Sequence, residues 1–168
     1  MSFKEFEQAI DSPGLKRVAN HWNEARDANR MPSWKAIQPK AIAAQLPLVW
    51  VYDYNRAAKQ FTGRLSGDQI DRMFGKNLKG VPMSDLYPAA YFQRLFDRSK
   101  RCVCEPALYR GEGIVFRHLD RYGQGERIML PLARDGQTGD GILGATKYQT
   151  MVGRPTVNME EVESWFLV

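Results

Sequence analysis

The chain has 168 residues, of which 43% are hydrophobic and 26% charged, a composition that suits one globular domain with a substantial apolar core. No stretch approaches the roughly 18 consecutive apolar residues of a transmembrane helix. The first residues, MSFKEFEQAIDSPG, also lack the apolar run and cleavage site of a secretory signal. These features predict a cytoplasmic protein with no membrane partner.

The net charge is +5, and it is unevenly distributed along the chain. Between Asn55 and Arg101, ten Lys and Arg residues stand against four Asp residues. A basic region of this kind could attract nucleic acid or an anionic second messenger. Its charges are dispersed singly, apart from a terminal RSKR, so a solvated surface is the expected outcome and nucleic acid is not the expected partner.

Two helices are predicted at the N-terminus. Ser2 and Glu5 have the spacing of a capping box, and Ser12-Pro13 supplies a cap and a first helical residue for a helix that reaches about Asn29. The apolar residues of the second helix recur at i, i+3, i+4 and i+7, which makes one face apolar. That face packs on the domain's own core or on a second copy, and in the latter case the dimer-interface candidates are Leu15, Val18, Ala19 and Trp22.

The middle of the chain predicts a hairpin followed by short helices. LVWVYDY, at 48–54, and QFTGRLSG, at 60–67, have the composition of two strands. A short helix is predicted over 68–74 with Gly75 as its C-cap, and a longer helix from Pro88 to about Arg101.

The remainder of the chain is predicted to be mostly strand. Four strands are expected at 103–109, 113–121, 126–133 and 141–149, separated by segments of turn composition such as RGEG and RDGQTGDG. The order of elements predicts an α+β fold, in which short helices lie on one face of an antiparallel sheet.

Two local features leave alternatives open. The tail, TVNMEEVESWFLV, is either a frayed end or a short helix that Asn158 caps, with Met159, Val162 and Phe166 on one face. Arg64 lies on a half-apolar strand, and a pairing with Glu126 is expected for it.

The sequence indicates no catalytic or metal-ligating residues. Gly75-Lys76 is followed by Asn77, where a phosphate-binding P-loop needs Ser or Thr. The two histidines, at 21 and 118, show no ligand spacing and have no neighbouring nucleophile in the sequence. Cys102 and Cys104 are expected to point to the same side of a strand as reduced thiols.

An apolar space between the short helices and the sheet is the candidate ligand site, although a solid core is the alternative. The residues predicted to line it come from both strands and helices: Val51, Phe61, Leu65, Met73, Phe74, Leu78, Leu86, Phe92, Phe96, Val115, Ile128 and Leu130.

Several motifs follow one another along the chain: Trp22, MPSWKAIQP, Leu46-Pro47, LVWVYDY, the RLSG…FGKNLKG block, ERIMLPLARDG and ILGATKY. In this order they make the chain similar to a bacterial, stand-alone subfamily of PAS domain proteins. The resemblance implies a five-stranded antiparallel sheet with short helices on one face and an N-terminal flanking helix. It divides the chain into a helical flank at 1–45, a PAS-like domain at 46–150 and a tail at 151–168.

The resemblance also implies a non-enzymatic sensory or regulatory module. Such a module binds a small apolar or mixed-polarity molecule and signals through a protein partner or a homodimer. A binder of nucleic acid or of an anionic second messenger, and a small-molecule enzyme in an α+β cone, remain as alternatives.

The cofactor is not identified by the resemblance. Gly75-Lys76-Asn77 is similar to the start of the flavin-adduct motif, but Leu78 replaces the reactive cysteine, so no flavin adduct is expected. Haem-binding PAS domains usually carry a histidine on the long helix, and 88–101 contains none, so haem is not expected.

Overall fold

A computed structural model describes residues 2–155 and 160–168. The helices are α1 (Phe3–Ala9), α2 (Pro13–Ala25), α3 (Asp68–Phe74) and α4 (Ala89–Cys104), with 3₁₀ segments at Trp34–Ala36, Pro39–Leu48 and Met83–Asp85. The strands are β1 (Val49–Asn55), β2 (Gln60–Ser66), β3 (Ala107–His118), β4 (Arg121–Leu132), β5 (Gly141–Val152) and β6 (Val162–Leu167).

The strands form one antiparallel sheet in the order β2-β1-β5-β4-β3-β6. The α+β class is therefore confirmed, but the sheet has six strands where the resemblance implied five. The additional strand is β6, which pairs with β3 from Ala107↔Leu167 to Glu112↔Val162. The tail was predicted to be helical or frayed, and its described part is this edge strand; Asn158 and Met159 lie outside the described residues.

The segment between α4 and β4 also differs from expectation. The long helix continues to Cys104, and a single strand, β3, replaces the two strands predicted around RGEG. RGEG has turn composition, but Gly111 and Gly113 lie inside β3, opposite Arg127 and Gly125 of β4. The extended backbone pairs on both sides there, which outweighs the local preference for a turn.

The helical conformation of the cysteine pair corrects the prediction for it. Residues two apart on a helix point in nearly opposite directions, unlike residues two apart on a strand. Cys102 is fully buried whereas Cys104 is half-buried, and both are free thiols.

One face of the sheet is covered by the N-terminal helices. Ser12 caps α2 by accepting a hydrogen bond from the Leu15 N–H (3.4 Å), and Pro13 is the first helical residue, as predicted. The indole N–H of Trp22 donates to the carbonyl of Pro131 in β4 at 2.8 Å. The apolar face of α2 thus packs on the domain's own core.

This packing corrects the dimer-interface prediction. The four candidates are Leu15, Val18, Ala19 and Trp22. Their side chains have no exposed surface and pack in one cluster with residues of β1, β4 and β5. They therefore cannot contact a second copy in this arrangement.

An ionic cluster holds the junction between α1 and α2 against the sheet. The Glu126 carboxylate accepts hydrogen bonds from the backbone N–H groups of Asp11 (2.9 Å) and Ser12 (2.8 Å) and from Nε of Arg110 (2.8 Å). The predicted pairing of Arg64 with Glu126 is therefore wrong. Arg64 instead pairs with Asp53 on the neighbouring strand at 3.3 Å.

Candidate ligand site

The second face of the sheet is covered by α3, α4 and the segment between them, and it contains the candidate site. Successive residues of a strand point to opposite faces, so Trp50 and Tyr52 of β1 face these helices whereas Val49 and Val51 face α2. Gly75, at φ +71°, ends α3 as predicted. The Leu78 N–H then donates to the Ser66 hydroxyl at 2.9 Å, which fixes Leu78 over the sheet.

The apolar part of this space, which we call the inner pocket, is almost completely filled. Its free volume is about 10 Å³, room for roughly one water molecule. The inner pocket is lined by Trp50, Tyr52, Ile70, Phe74, Leu78, Met83, Tyr87, Leu95, Phe116 and Arg127. The solid-core alternative therefore describes most of the apolar space.

A larger cavity of about 110 Å³, which we call the vestibule, lies beside the inner pocket and opens to the surface. Three of its lining residues, Tyr87, Leu95 and Phe116, are shared with the inner pocket, as is Arg127. The other lining residues are Tyr91, Arg94, Arg98, Ile114, Val115, Arg117, Glu160 and Glu161. The free space of the site is thus bordered by charged as well as apolar groups.

A buried ionic triad forms the inner wall of the vestibule. The Glu161 carboxylate accepts hydrogen bonds from Nε (2.9 Å) and Nη2 of Arg127, and from Nη1 of Arg98 at 2.8 Å. All three residues are at most 9% exposed. Arg98 also donates through Nε to Glu163, which is more exposed. Two guanidinium groups therefore share one fully buried carboxylate.

The environment keeps this triad ionised. Burial alone would raise the pKa of Glu161, but the charge and hydrogen bonds of Arg127, together with Arg98, hold it below its ordinary value. Burial alone would lower the pKa of Arg127, but Glu161 raises it above its ordinary value. Burial also raises the pKa of the neighbouring phenols of Tyr87 and Tyr109. The site therefore presents fixed charges beside neutral phenols.

Tyr109 and Gly111 of β3 shape the space around the carboxylate. A Cβ atom at Gly111 would lie 2.0 Å from Oε1 of Glu161 and 2.5 Å from the Tyr109 hydroxyl, so only glycine leaves room for both. The Tyr109 hydroxyl is buried, and among the described residues it has no hydrogen-bond partner in good geometry.

The structure divides the predicted pocket residues between the two faces of the sheet. Eight lie on the face covered by α3 and α4, namely Phe61, Met73, Phe74, Leu78, Leu86, Phe92, Phe96 and Val115. Of these, Phe74 and Leu78 line the inner pocket and Val115 lines the vestibule. Four were placed on the wrong face and pack against the N-terminal helices, namely Val51, Leu65, Ile128 and Leu130.

The polar residues of the site were not predicted from the sequence. Arg98 and Ser99 follow Leu95 at helical spacing, so the stripe on α4 extended further than its apolar members showed. Arg127 follows Glu126 and directly precedes the apolar run Ile128–Leu130 of β4, and a charge at the edge of such a run is only a weak signal of a buried, paired group. Nothing in the sequence around Glu161 indicated burial.

Other candidate chemistries find little support. Within residues 2–155 and 160–168, no three His, Cys, Asp or Glu side chains come together in a way that could hold a metal ion. Leu78, which replaces the flavin-reactive cysteine, lines the inner pocket with an aliphatic side chain.

Four arginines of the basic region make contacts within the chain. Arg56 donates to the Gly139 carbonyl (2.8 and 3.1 Å), Arg94 pairs with Glu160 (3.3 Å), and Arg98 is buried in the triad. Arg101 lies over the Trp165 ring at 4.2 Å. These side chains are used for contacts within the chain.

An antiparallel sheet with short helices enclosing a partly polar site on one face is the architecture of a small sensory or regulatory domain. A family model described as a PAS domain matches residues 10–147, and the chain belongs to this family. No curated protein and no solved structure matches the chain. Within the described ranges, no helix has the length and apolar character needed to cross a membrane.

Proposed function

We propose that this chain is a non-enzymatic PAS sensor that binds a small ligand of mixed polarity in the vestibule and signals through protein contacts. The observation that carries the proposal is the Arg98–Arg127–Glu161 triad beside an aromatic wall in a cavity of about 110 Å³. Ligand sites are typically apolar with a few well-placed polar groups, and this cavity has that composition.

The fixed protonation of the site supports a binding role over a catalytic one. A general acid or base works best with a pKa near the working pH. The pKa values of Arg127 and Tyr87 are raised, away from neutrality, and that of Glu161 is lowered. These groups recognise charge and shape and do not exchange protons at pH 7.

The proposal assigns sensing to residues 46–150, with the flank at 1–45 covering the face of the sheet opposite the site and the tail reaching the site through Glu161. A cytoplasmic location agrees with the free thiols of Cys102 and Cys104. Output passes to a protein partner or through a homodimer. Because the apolar face of α2 is buried, such contacts use other surfaces.

A ligand screen tests the sensing role directly. We expect metabolites that enter the vestibule to raise the melting temperature, since a ligand at a hundredfold excess over its Kd stabilises by about 2.7 kcal/mol. Native mass spectrometry should then show one bound molecule per chain. If no compound changes the melting temperature and only the ligand-free mass appears, sensing by this site is refuted.

A matched pair of variants locates any ligand that is found. Tyr91 lines the vestibule and is 43% exposed, so Tyr91→Ala should weaken binding several-fold without unfolding the chain. Leu119 is 90% exposed and does not line the vestibule, so Leu119→Ala should leave affinity unchanged. Equal effects of the two variants would place the ligand elsewhere.

A further inference from the structure

The buried triad joins the region that the PAS family model matches to the segment that follows it. Arg98, Tyr109 and Arg127 lie within the region that the PAS family model matches, residues 10–147. Glu161 comes from the segment after that region, and it is 34 residues from Arg127 along the chain. The domain therefore supplies the positive groups, and the tail supplies the anion that satisfies them.

We propose that Glu161 is an internal occupant of a carboxylate-binding site, which a small organic carboxylate can take over with release of β6 from the edge of the sheet. This inference rests on the proposed function and names both the class of ligand and the response to it.

The groups around Glu161 form a complete receptor for a carboxylate. Arg127 binds both carboxylate oxygens through Nε and Nη2, the bidentate geometry for which a guanidinium is suited. Arg98 adds a third donor at 2.8 Å, and Gly111 leaves the space that the oxygens occupy. The buried Tyr109 hydroxyl lies beside this space, where its proximity to Glu161 contributes to lowering the pKa of that carboxyl, and it can serve as a further donor to a carboxylate.

An anion from solution can reach this receptor. The vestibule opens to the surface, and both Arg127 and Glu161 line it. Two further arginines, Arg94 and Arg117, lie on its walls, so four guanidinium groups face two carboxylates there. A cavity with an excess of one charge raises the local concentration of the opposite one.

The dimensions of the site restrict the ligand. The vestibule holds about 110 Å³ and the inner pocket is nearly full, so the site suits a carboxylate with a short chain or a single ring. The aromatic side chains of Tyr87 and Phe116 border both spaces and provide a surface for the apolar part of such a molecule.

Glu161 supplies the buried ionic contact of the segment that contains β6. β6 is an edge strand, and the apolar side chains at its ends, Val162 and Leu167, are 69% and 67% exposed. It is also held by its pairing with β3, by the contact of Glu163 with Arg98, and by the aromatic side chains of Trp165 and Phe166. An unpaired guanidinium inside the domain is strongly unfavourable, so Glu161 leaves only when another anion replaces it. Release of β6 is therefore coupled to binding.

Hydrogen exchange on the wild-type chain tests this coupling. Sodium benzoate and sodium succinate are titrated, with benzamide as the neutral analogue of benzoate and sodium chloride at equal ionic strength. We expect at least one carboxylate to accelerate amide exchange over 162–167 at least tenfold, while benzamide and chloride do not. Unchanged exchange with both carboxylates at saturating concentration would overturn the proposal.

Glu161→Gln tests the internal competition. The variant keeps the shape of the side chain but removes its charge, so the carboxylate that binds the wild type should bind at least tenfold more tightly and should raise the melting temperature more. Glu105→Gln removes an exposed carboxylate outside the site and should bind as the wild type does. If Glu161→Gln binds no carboxylate more tightly than Glu105→Gln does, Glu161 has only a structural role.

The two proposals fail in different ways. Suppose that neutral molecules bind in the vestibule and that Glu161→Gln shows no preference for carboxylates. This result would refute the inference that Glu161 is an internal occupant, but it would not refute the proposed sensor function. An absence of any bound molecule, in the wild type and in the variant, would refute both. If Glu161→Gln does not fold, the exchange experiment on the wild type still decides the question.

Discussion

Among the polar residues of the site, Glu161 has the largest expected influence on stability. Removing one partner of a buried ion pair leaves an uncompensated charge, which typically costs 3–5 kcal/mol. Glutamine can still accept a hydrogen bond from Arg127, so we expect Glu161→Gln to lower the free energy of unfolding by about 3 kcal/mol in urea at pH 7. Glu105→Gln, at an exposed pair 3.9 Å apart, should change it by less than about 1 kcal/mol.

The effect of Glu161→Gln should depend on pH in one direction. The pKa of Glu161 is lowered in the folded chain, where Arg127 and Arg98 face the carboxylate with Tyr109 and Glu163 nearby. A lowered pKa gives stabilisation that is complete above the pKa of the unfolded chain and is lost as the pH falls toward that of the folded chain. The difference between wild type and variant should therefore be constant near pH 7 and shrink below about pH 4.5. A difference that grows in acid would contradict the ion pairing.

Gly111 should be required for full stability of the chain, because it leaves the space that the Glu161 carboxylate occupies. In Gly111→Ala, the added Cβ would displace the Glu161 carboxylate, and we expect a loss of at least about 1–3 kcal/mol from overpacking. Because the two residues are in contact, the loss of unfolding free energy in the double variant Gly111→Ala/Glu161→Gln should differ clearly from the sum of the two single losses. Gly14→Ala is the control, because its Cβ would have ordinary contacts of 3.7 Å or more in the first turn of α2. Strict additivity of the double variant would show that Gly111 does not act through Glu161.

At the scale of single elements, the packing of α3 and α4 on the sheet can be compared directly. Phe74 is 5% exposed, and its ring centroid lies 5.2 Å from that of Phe116 and 5.5 Å from that of Tyr87. Phe74→Ala should therefore cost about 3–5 kcal/mol. Phe96 is only half-buried, so Phe96→Ala should cost less. Thermal and urea unfolding of both variants provide the measurement, and equal losses would mean that α4 buries Phe96 more deeply in solution.

Elements with local signals were predictable, and elements fixed by distant partners were not. Ser12-Pro13 and Gly75 determine the ends of α2 and α3 through their own backbone chemistry, and both predictions were confirmed. The turn composition of RGEG predicted a break, but pairing of β3 with both β4 and β6 overrides it. β6 itself contains few buried residues, so its sequence carried little signal for a strand.

The orientation of the β1 side chains toward the two faces of the sheet shows why only part of the site could be predicted. LVWVYDY is apolar at nearly every position, because β1 is covered by helices on both faces. Alternation then cannot tell which residues face which helices, and Val51 was placed on the ligand side in error. The triad could not be predicted for another reason. Arg98 and Glu161 are 63 residues apart along the chain and come into contact only when it folds.

At the scale of the whole molecule, the distribution of charge decides between an anion-binding cavity and a nucleic-acid-binding surface. A surface that binds nucleic acid needs several free cations along the path of the phosphates, and each phosphate contact steepens the salt dependence. In the basic region, Arg56, Arg94, Arg98 and Arg101 are engaged within the chain. The remaining positive charges of this region are dispersed along the sequence, mostly as single residues.

We therefore expect a single-stranded oligonucleotide to bind more weakly than about 100 μM at 150 mM salt in a filter-binding assay, the weak end of the non-specific range. Lowering the salt should strengthen this binding only modestly, because few counterions are released. Retention that grows by orders of magnitude between 200 and about 50 mM salt would instead require roughly six or more phosphate contacts. Such a result would indicate that this protein binds anions on its surface and not in the vestibule. A flat response, together with selective binding of a small carboxylate, would place that recognition at Arg127, inside the domain.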